Sequence, residues 1–225
     1  MILNKDSSVT VVITSFNRFD LLERMIDSLN RVENYPFKDV IIIEDSANEG
    51  MHQNLKNAYE GKYTLILNEK NIGAYASIDL AYSFVTTPWV LHIEDDWEFT
   101  HGMFVGKSIE VLKHDNMIMQ VSLEHNPVMS TLLQVHIANG VEYKIVGTDV
   151  NGWWHGFTCH PSVRSMEGYE RTKPWTQWST DEEELSHREL KVGLEYYRLG
   201  YKAAILKESY CIHTGLGRCT WHPNV

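Results

Sequence analysis

The sequence predicts an α/β protein, a mostly parallel central sheet flanked by helices and built as a single domain over residues 1–225. Three observations carry that expectation. Apolar runs alternate with one-sided apolar stripes through the first half of the chain. The runs are continuous and rich in β-branched residues, as strands covered by helices on both faces are. A chain of 225 residues, 43% of them hydrophobic, is long enough to bury one sizeable core.

The elements follow in order. Val9 to Thr14 reads as the first strand, and Leu21, Leu22, Met25, Ile26 and Leu29 then repeat at helical spacing. Val40 to Ile43 reads as a second strand, followed by a second helical stretch and a third strand at Thr64 to Leu67. Ala74, Ile78, Ala81, Tyr82 and Val85 form another sheet-facing stripe before a strand at Trp89 to Ile93. Beyond Asp96 the pattern predicts a helix from about His101 to Lys113, a strand at Met117 to Leu123, and a mixed Trp-, Gly- and His-rich region from Val141 to Trp178. A long helix over Asp181 to Leu199 is expected, with Thr180 and Glu183 as a capping box and Leu190, Leu194 and Tyr197 as its buried stripe. A strand at Tyr201 to Leu206 and a polar tail close the chain. The division that results is a nucleotide-binding half, 1–105, and an acceptor-side half, 106–225.

Composition narrows the function. A formal net charge of −10 disfavours nucleic acid, which needs a basic face to displace counterions. No apolar run reaches the length of a membrane span, and residues 1–6 lack a signal-peptide core, so a cytoplasmic protein is expected. Cys159, Cys211 and Cys219 are too few and too irregular for a disulfide framework or a zinc knuckle.

The chemistry concentrates where Val90-Leu91-His92-Ile93 empties into Glu94-Asp95-Asp96. Ligands of open α/β sheets bind beyond the carboxyl ends of the strands, so three adjacent carboxylates there read as a site for Mn2+ or Mg2+ holding a phosphorylated substrate. A solvated acidic turn is the alternative. The first strand ends in Thr14-Ser15-Phe16-Asn17-Arg18, without the glycines of a dinucleotide or ATP loop. The second ends in Glu44-Asp45-Ser46, where a carboxylate either accepts a nucleobase N–H or caps the next helix.

Val11 to Arg18, Ile41 to Ser46, Asn71-Ile72-Gly73 and Glu94-Asp95-Asp96 together resemble the GT-A glycosyltransferases, and are similar to the inverting family 2 enzymes, over roughly the first 105 residues. Glu94-Asp95-Asp96-Trp97-Glu98 also resembles the variant of the DXD motif in N-acetylglucosaminyltransferase I. The resemblance implies a Rossmann-like sheet and a metal-dependent transfer of sugar, with inversion, from a nucleoside diphosphate donor, UDP favoured, to a glycan hydroxyl. It implies that Asp96 ligates the metal, that Glu94 and Asp95 reach the ribose or a metal-bound water, and that Asp45 faces the base. Thr14, Phe16, Arg18 and Gly73 would line the nucleotide pocket. Short chains of this kind resemble glycosyltransferases of bacterial surface-glycan pathways and of large DNA viruses.

An inverting transfer needs a base for the acceptor hydroxyl. Asp181-Glu182-Glu183-Glu184-Leu185-Ser186-His187-Arg188 resembles the family's Glu-Asp-x-x-Leu-x-x-Arg element, which puts Glu182 in the base position with Asp181 as runner-up. An acid-rich helix start without catalysis stays open. His213 is the candidate third metal ligand beside Asp96 and Glu94, with His222 in reserve, and Arg218 is placed to approach the diphosphate. Trp153 and Trp154, and Trp175 and Trp178, are candidates for stacking on the acceptor sugar, with core packing as the alternative. A retaining transferase, a sugar-nucleotide nucleotidyltransferase and a non-catalytic carbohydrate-binding module remain as competing readings.

Overall fold

A computed structural model of the chain describes residues 1–124, 134–146, 155–178, 185–215 and 218. Strand β1 (Val9–Ser15), helix α1 (Phe19–Val32), β2 (Val40–Glu44), α2 (Glu49–Tyr59), β3 (Thr64–Leu67), α3 (Ala74–Tyr82) and β4 (Trp89–Glu94) form the expected alternation. There follow β5 (Trp97–Phe99), α4 (Phe104–His114), β6 (Ile118–Ser122), a hairpin of β7 (Val135–Ala138) and β8 (Val141–Val146), and β9 (Ser162–Ser165). Helix α5 (Met166–Thr172), a 3-10 turn at Trp175–Trp178, α6 (Leu185–Arg198), β10 (Lys202–Leu206) and β11 (Cys211–His213) complete the order.

Nine strands make one mixed, largely parallel sheet in the order β3-β2-β1-β4-β9-β6-β10-β8-β7. β1 pairs in parallel with both β2 and β4, whereas β9 runs antiparallel between β4 and β6. Strand side chains alternate between two apolar layers, so the six helices divide between the faces. Val9, Val11 and Ile13 pack with α1, α2 and α4, while Val12 packs with α3, α5 and α6. This is the doubly wound arrangement that the continuous apolar strands demand. Because the chain returns from β3 across β1 to enter β4, its loops part at the carboxyl ends of β1 and β4, and that parting opens a crevice.

Within the polar tail, Cys211–His213 pairs antiparallel with β5 as a two-stranded ribbon. One expectation is corrected: the buried face of α6 is not Leu190, Leu194 and Tyr197. Leu194 and Tyr197 are 53% and 54% exposed and Leu190 is half-buried, while Val192, Gly193 and Tyr196 face inward. Gly193 explains the rotation: a Cβ there would stand 3.2 Å from Phe157 Cβ, so the missing side chain lets the helix backbone seat against Phe157. Tyr196 then stacks on the Phe157 ring at 5.8 Å.

Candidate active site

The carboxylates at the end of β4 are arranged around an internal cation. Asp95 is 0% exposed; its Oδ2 accepts from Ser15 Oγ and from the Phe16 amide, both at 3.1 Å, and from Arg18 Nε at 3.3 Å. Its Oδ1 pairs with Arg18 Nη2, and Arg18 Nη1 reaches Asp96 Oδ2 at 2.7 Å. One buried guanidinium thus offsets two carboxylates, which is how such charges are tolerated away from water. Burial still dominates Asp95, whose carboxyl is pushed up to about 6 against the opposing pull of Arg18. Glu94 is pushed up to about 7, by burial first, with the His160 charge opposing and Asp96 adding to the rise. Its Oε2 accepts from Trp97 Nε1 at 3.2 Å.

The strand pair β5–β11 brings the end of the chain onto this cluster. His213 Nε2 lies 3.2 Å from Asp96 Oδ2, and Thr214 donates its amide and hydroxyl to the Asp96 carbonyl at 2.8 and 2.9 Å. Gly215 sits so close that a Cβ on it would overlap the Asp96 carboxylate, so only glycine fits there. Arg218 pairs with Asp20 on α1 at 2.6 Å, and its carbonyl accepts from Arg18 Nη1 at 3.3 Å. The arginine therefore stands beside the crevice with its guanidinium turned to α1.

Asp96 Oδ2 and His213 Nε2 have the separation of two ligands sharing one small ion, roughly 3 Å apart for bonds of about 2.1 Å. These two residues fit a divalent cation. Glu94 does not join them: among the described residues no group of three or more His, Cys, Asp or Glu side chains stands ready to hold a metal. The expected trio is therefore a pair, and oxygens from a diphosphate and water would have to complete the shell.

On the β2 side, Asp45 is buried and already engaged. Oδ1 accepts from Asn68 Nδ2 at 2.8 Å and the Ile72 amide at 2.9 Å, and Oδ2 accepts from the Gly73 amide at 2.8 Å. Asp45 thus caps the approach to α3, where amides have no helical acceptor and Gly73 takes a positive φ of 87°. Glu44 does similar work for the first loop, accepting from the Asn17 and Ser46 amides at 3.0 and 2.9 Å. Thr14 and Phe16 stand half-buried at the same edge.

Trp175 is 1% exposed, edge-on to Phe157 and Tyr169 at 4.9 and 5.2 Å, and so is core with no face for a sugar. Trp178 is half-buried, its Nε1 donating to the Thr172 carbonyl at 3.0 Å. Trp153, Trp154, Asp181, Glu182 and His222 lie outside the described residues. Asp79 anchors the turn that leads toward residues 181 and 182, accepting from the Trp175 and Thr176 amides at 3.0 Å each.

Sequence reasoning missed a second group. His160 precedes β9 and Glu124 follows β6, with Nδ1 and Oε2 2.7 Å apart. Burial works against the imidazolium but is outweighed by the Glu124 hydrogen bond and by Glu94 and Glu189, so His160 rises to about 9. Nothing in the pattern of Thr158-Cys159-His160-Pro161 marks it, since its partners are supplied by strand order alone.

A family model for glycosyl transferase family 2 matches residues 10–172. The chain belongs to that family. It is similar to β-1,4 N-acetylgalactosaminyltransferase 1 of Homo sapiens, 31% identical over 110 residues, and to its Rattus norvegicus counterpart at the same identity. Those residues are 49% of this chain, and they span only 19% of those relatives. Among solved structures, the fold is like that of a mannosyltransferase from Pyrobaculum calidifontis in complex with GDP-Man and Mn2+, with a TM-score of 0.67 at 15% identity over 98% of this chain and 61% of that one. It is also like S. aureus TarS 1-349, with a TM-score of 0.63 at 11% identity over 93% and 61%. These likenesses establish a GT-A-like fold for this family 2 glycosyltransferase. No helix among its described residues is long and apolar enough to cross a membrane.

Proposed function

We propose that this glycosyltransferase uses Mn2+ or Mg2+ to move a sugar from a UDP-sugar to a glycan hydroxyl with inversion. The observation that carries the reading is the Asp96–His213 pair at the carboxyl end of β4, 3.2 Å apart and roofed by Gly215. Glu94-Asp95-Asp96 is then this chain's DXD element. Asp96 and His213 would hold the ion, and a bound ion supplies positive charge to the leaving nucleoside diphosphate.

The chain's own residues do the rest. Arg18 holds Asp95 and Asp96 together, and the Phe16 and Asn17 amides, tied to Asp95 and Glu44, set the shape of the pocket floor. Glu182 is proposed to take the acceptor proton, with Asp181 as the alternative. The sugar to try first is N-acetylgalactosamine, which the relatives' name carries.

The test is transfer or hydrolysis from UDP-, GDP- and dTDP-sugars with Mn2+ or chelator. Asp96→Asn and His213→Ala are expected to lose about 10²-fold or more in kcat/KM and to weaken Mn2+ binding measured by calorimetry. Glu182→Gln should lose turnover while keeping donor affinity. Equal donor binding with and without metal, or a fully active Asp96→Asn enzyme, overturns the metal reading.

A further inference from the structure

His160 and Glu124 stand outside the donor machinery yet at its edge. Both lie where strands of the sheet meet the crevice, Glu124 just past β6 and His160 just ahead of β9, beside Glu94 on β4. The His160 ring is 5.0 Å from the Trp97 ring, and the His213 ring lies 5.0 Å from that same indole. The two imidazoles are therefore no more than about 10 Å apart, the scale of one sugar and one phosphate together. Their side chains remain reachable from solvent, 44% exposed for His160 and 29% for Glu124.

The loop bearing His160 is held with unusual firmness for a surface connection. Thr158 Oγ1 and the Cys159 amide both donate to Glu189 Oε1, at 3.1 and 2.6 Å. Arg164, buried between Phe157 and Trp175, donates to the Thr158 carbonyl at 2.8 Å and to Ser162 Oγ at 2.9 Å, and Ser162 Oγ in turn donates to the His160 carbonyl at 3.1 Å. Arg164 has no carboxylate partner among the described residues, so its charge is spent on carbonyls, hydroxyls and ring faces. Glu189 belongs to α6, so the same contacts seat the helix that follows Asp181 and Glu182 against this loop.

We propose that His160 is an acceptor-binding residue whose Nε2 hydrogen-bonds a hydroxyl of an uncharged sugar, and that Glu124 is its positioning residue, fixing the ring through Nδ1. The choice of an uncharged acceptor follows from the surroundings. Glu124 pairs with this imidazole, Glu189 holds the amide of the preceding Cys159, and Glu94 adds its field from the end of β4. Sugar hydroxyls find acceptors among them, whereas an acidic sugar brings its own carboxylate against Glu124 and Glu189. The inference rests on the glycosyl-transfer reading and adds the acceptor's chemical class to it.

The experiment uses the full chain with Mn2+ and its best UDP-sugar, against methyl glycosides of galactose, glucose, mannose and N-acetylglucosamine, with methyl glucuronide and methyl sialoside as acidic counterparts. His160→Ala is expected to raise the acceptor KM about tenfold or more, the worth of one hydrogen bond to a charged group, with donor KM held within about twofold. His160→Gln places an amide nitrogen near the position of Nε2 and should restore most of that loss, and Glu124→Ala should fall between the two. An unchanged acceptor KM, an equal rise in donor KM, no rescue by glutamine, or a wild-type preference for the acidic glycosides overturns the proposal. So does hydrolysis of the UDP-sugar without transfer to any uncharged glycoside. A wild-type chain that neither binds nor hydrolyses any sugar nucleotide overturns the glycosyl-transfer reading itself, a result distinct from the others.

Discussion

The two halves of the sheet's carboxyl edge are built on different electrostatic plans. From β3 to β4 the strands are parallel, and their carboxylates are matched by Arg18 and by backbone amides from βα units that are neighbours in the sheet. From β9 to β10 the strands are mixed, and the edge presents His160 paired with Glu124, on a loop held by Glu189 and by Arg164, a guanidinium that meets no carboxylate among the described residues. The carboxylates of the first half are thus held by partners inside the fold, while His160 and Glu124 in the second half stay partly open to solvent.

The largest expected effect tests the self-neutralised half. Arg18→Leu leaves Asp95 buried without its cation and should cost about 3–5 kcal/mol in urea unfolding. Arg218→Leu, which breaks an exposed pair with Asp20, should cost at most about 0.5 kcal/mol. Similar losses in the two variants would show that the interior of the donor edge does not depend on its own cation.

A smaller effect belongs to the seam between the halves. Glu94 holds its proton up to about pH 7, above the ordinary carboxylate value of 4.5, so the folded chain binds more protons than the unfolded chain between those limits. Its contribution to stability is therefore lost as pH rises through that window. Glu94→Gln should remove that part of the slope, visible as a flatter plot of urea midpoint against pH from 5 to 7.5. Parallel plots for variant and wild type would place the buried proton elsewhere.

The smallest contrast lies on α6. Val192→Ala should cost about 2 kcal/mol through lost burial, and Leu194→Ser no more than about 0.5 kcal/mol. The reverse order would restore the stripe that helical spacing alone predicts.

These contrasts also explain what could be read in advance. Val9 to Thr14, Val40 to Ile43, Thr64 to Leu67 and Trp89 to Ile93 match the observed strands to within one residue, because strands covered on both faces announce themselves by unbroken apolar runs. Asp96 and His213, both singled out by the sequence, stand 3.2 Å apart. The Arg18 bridge to Asp95 was not legible, since ion pairing across 77 residues leaves no local pattern. His160, Glu124 and Glu189 escaped for the same reason: β9 enters the sheet against the run of its neighbours, and no periodicity announces which strand it will divide. On α6 the apolar spacing misled because a glycine, not a large side chain, set which face turned inward.

That reversed strand gives the molecule a keel. β9 is bonded to β4 on one side and to β6 on the other, so the loop that carries His160 is braced by the strand that ends in the Asp96 cluster and by the strand that ends at Glu124. If His160 and Glu124 bind the acceptor as proposed, an engineer grafting a new specificity would start from those two residues, which meet at a single hydrogen bond.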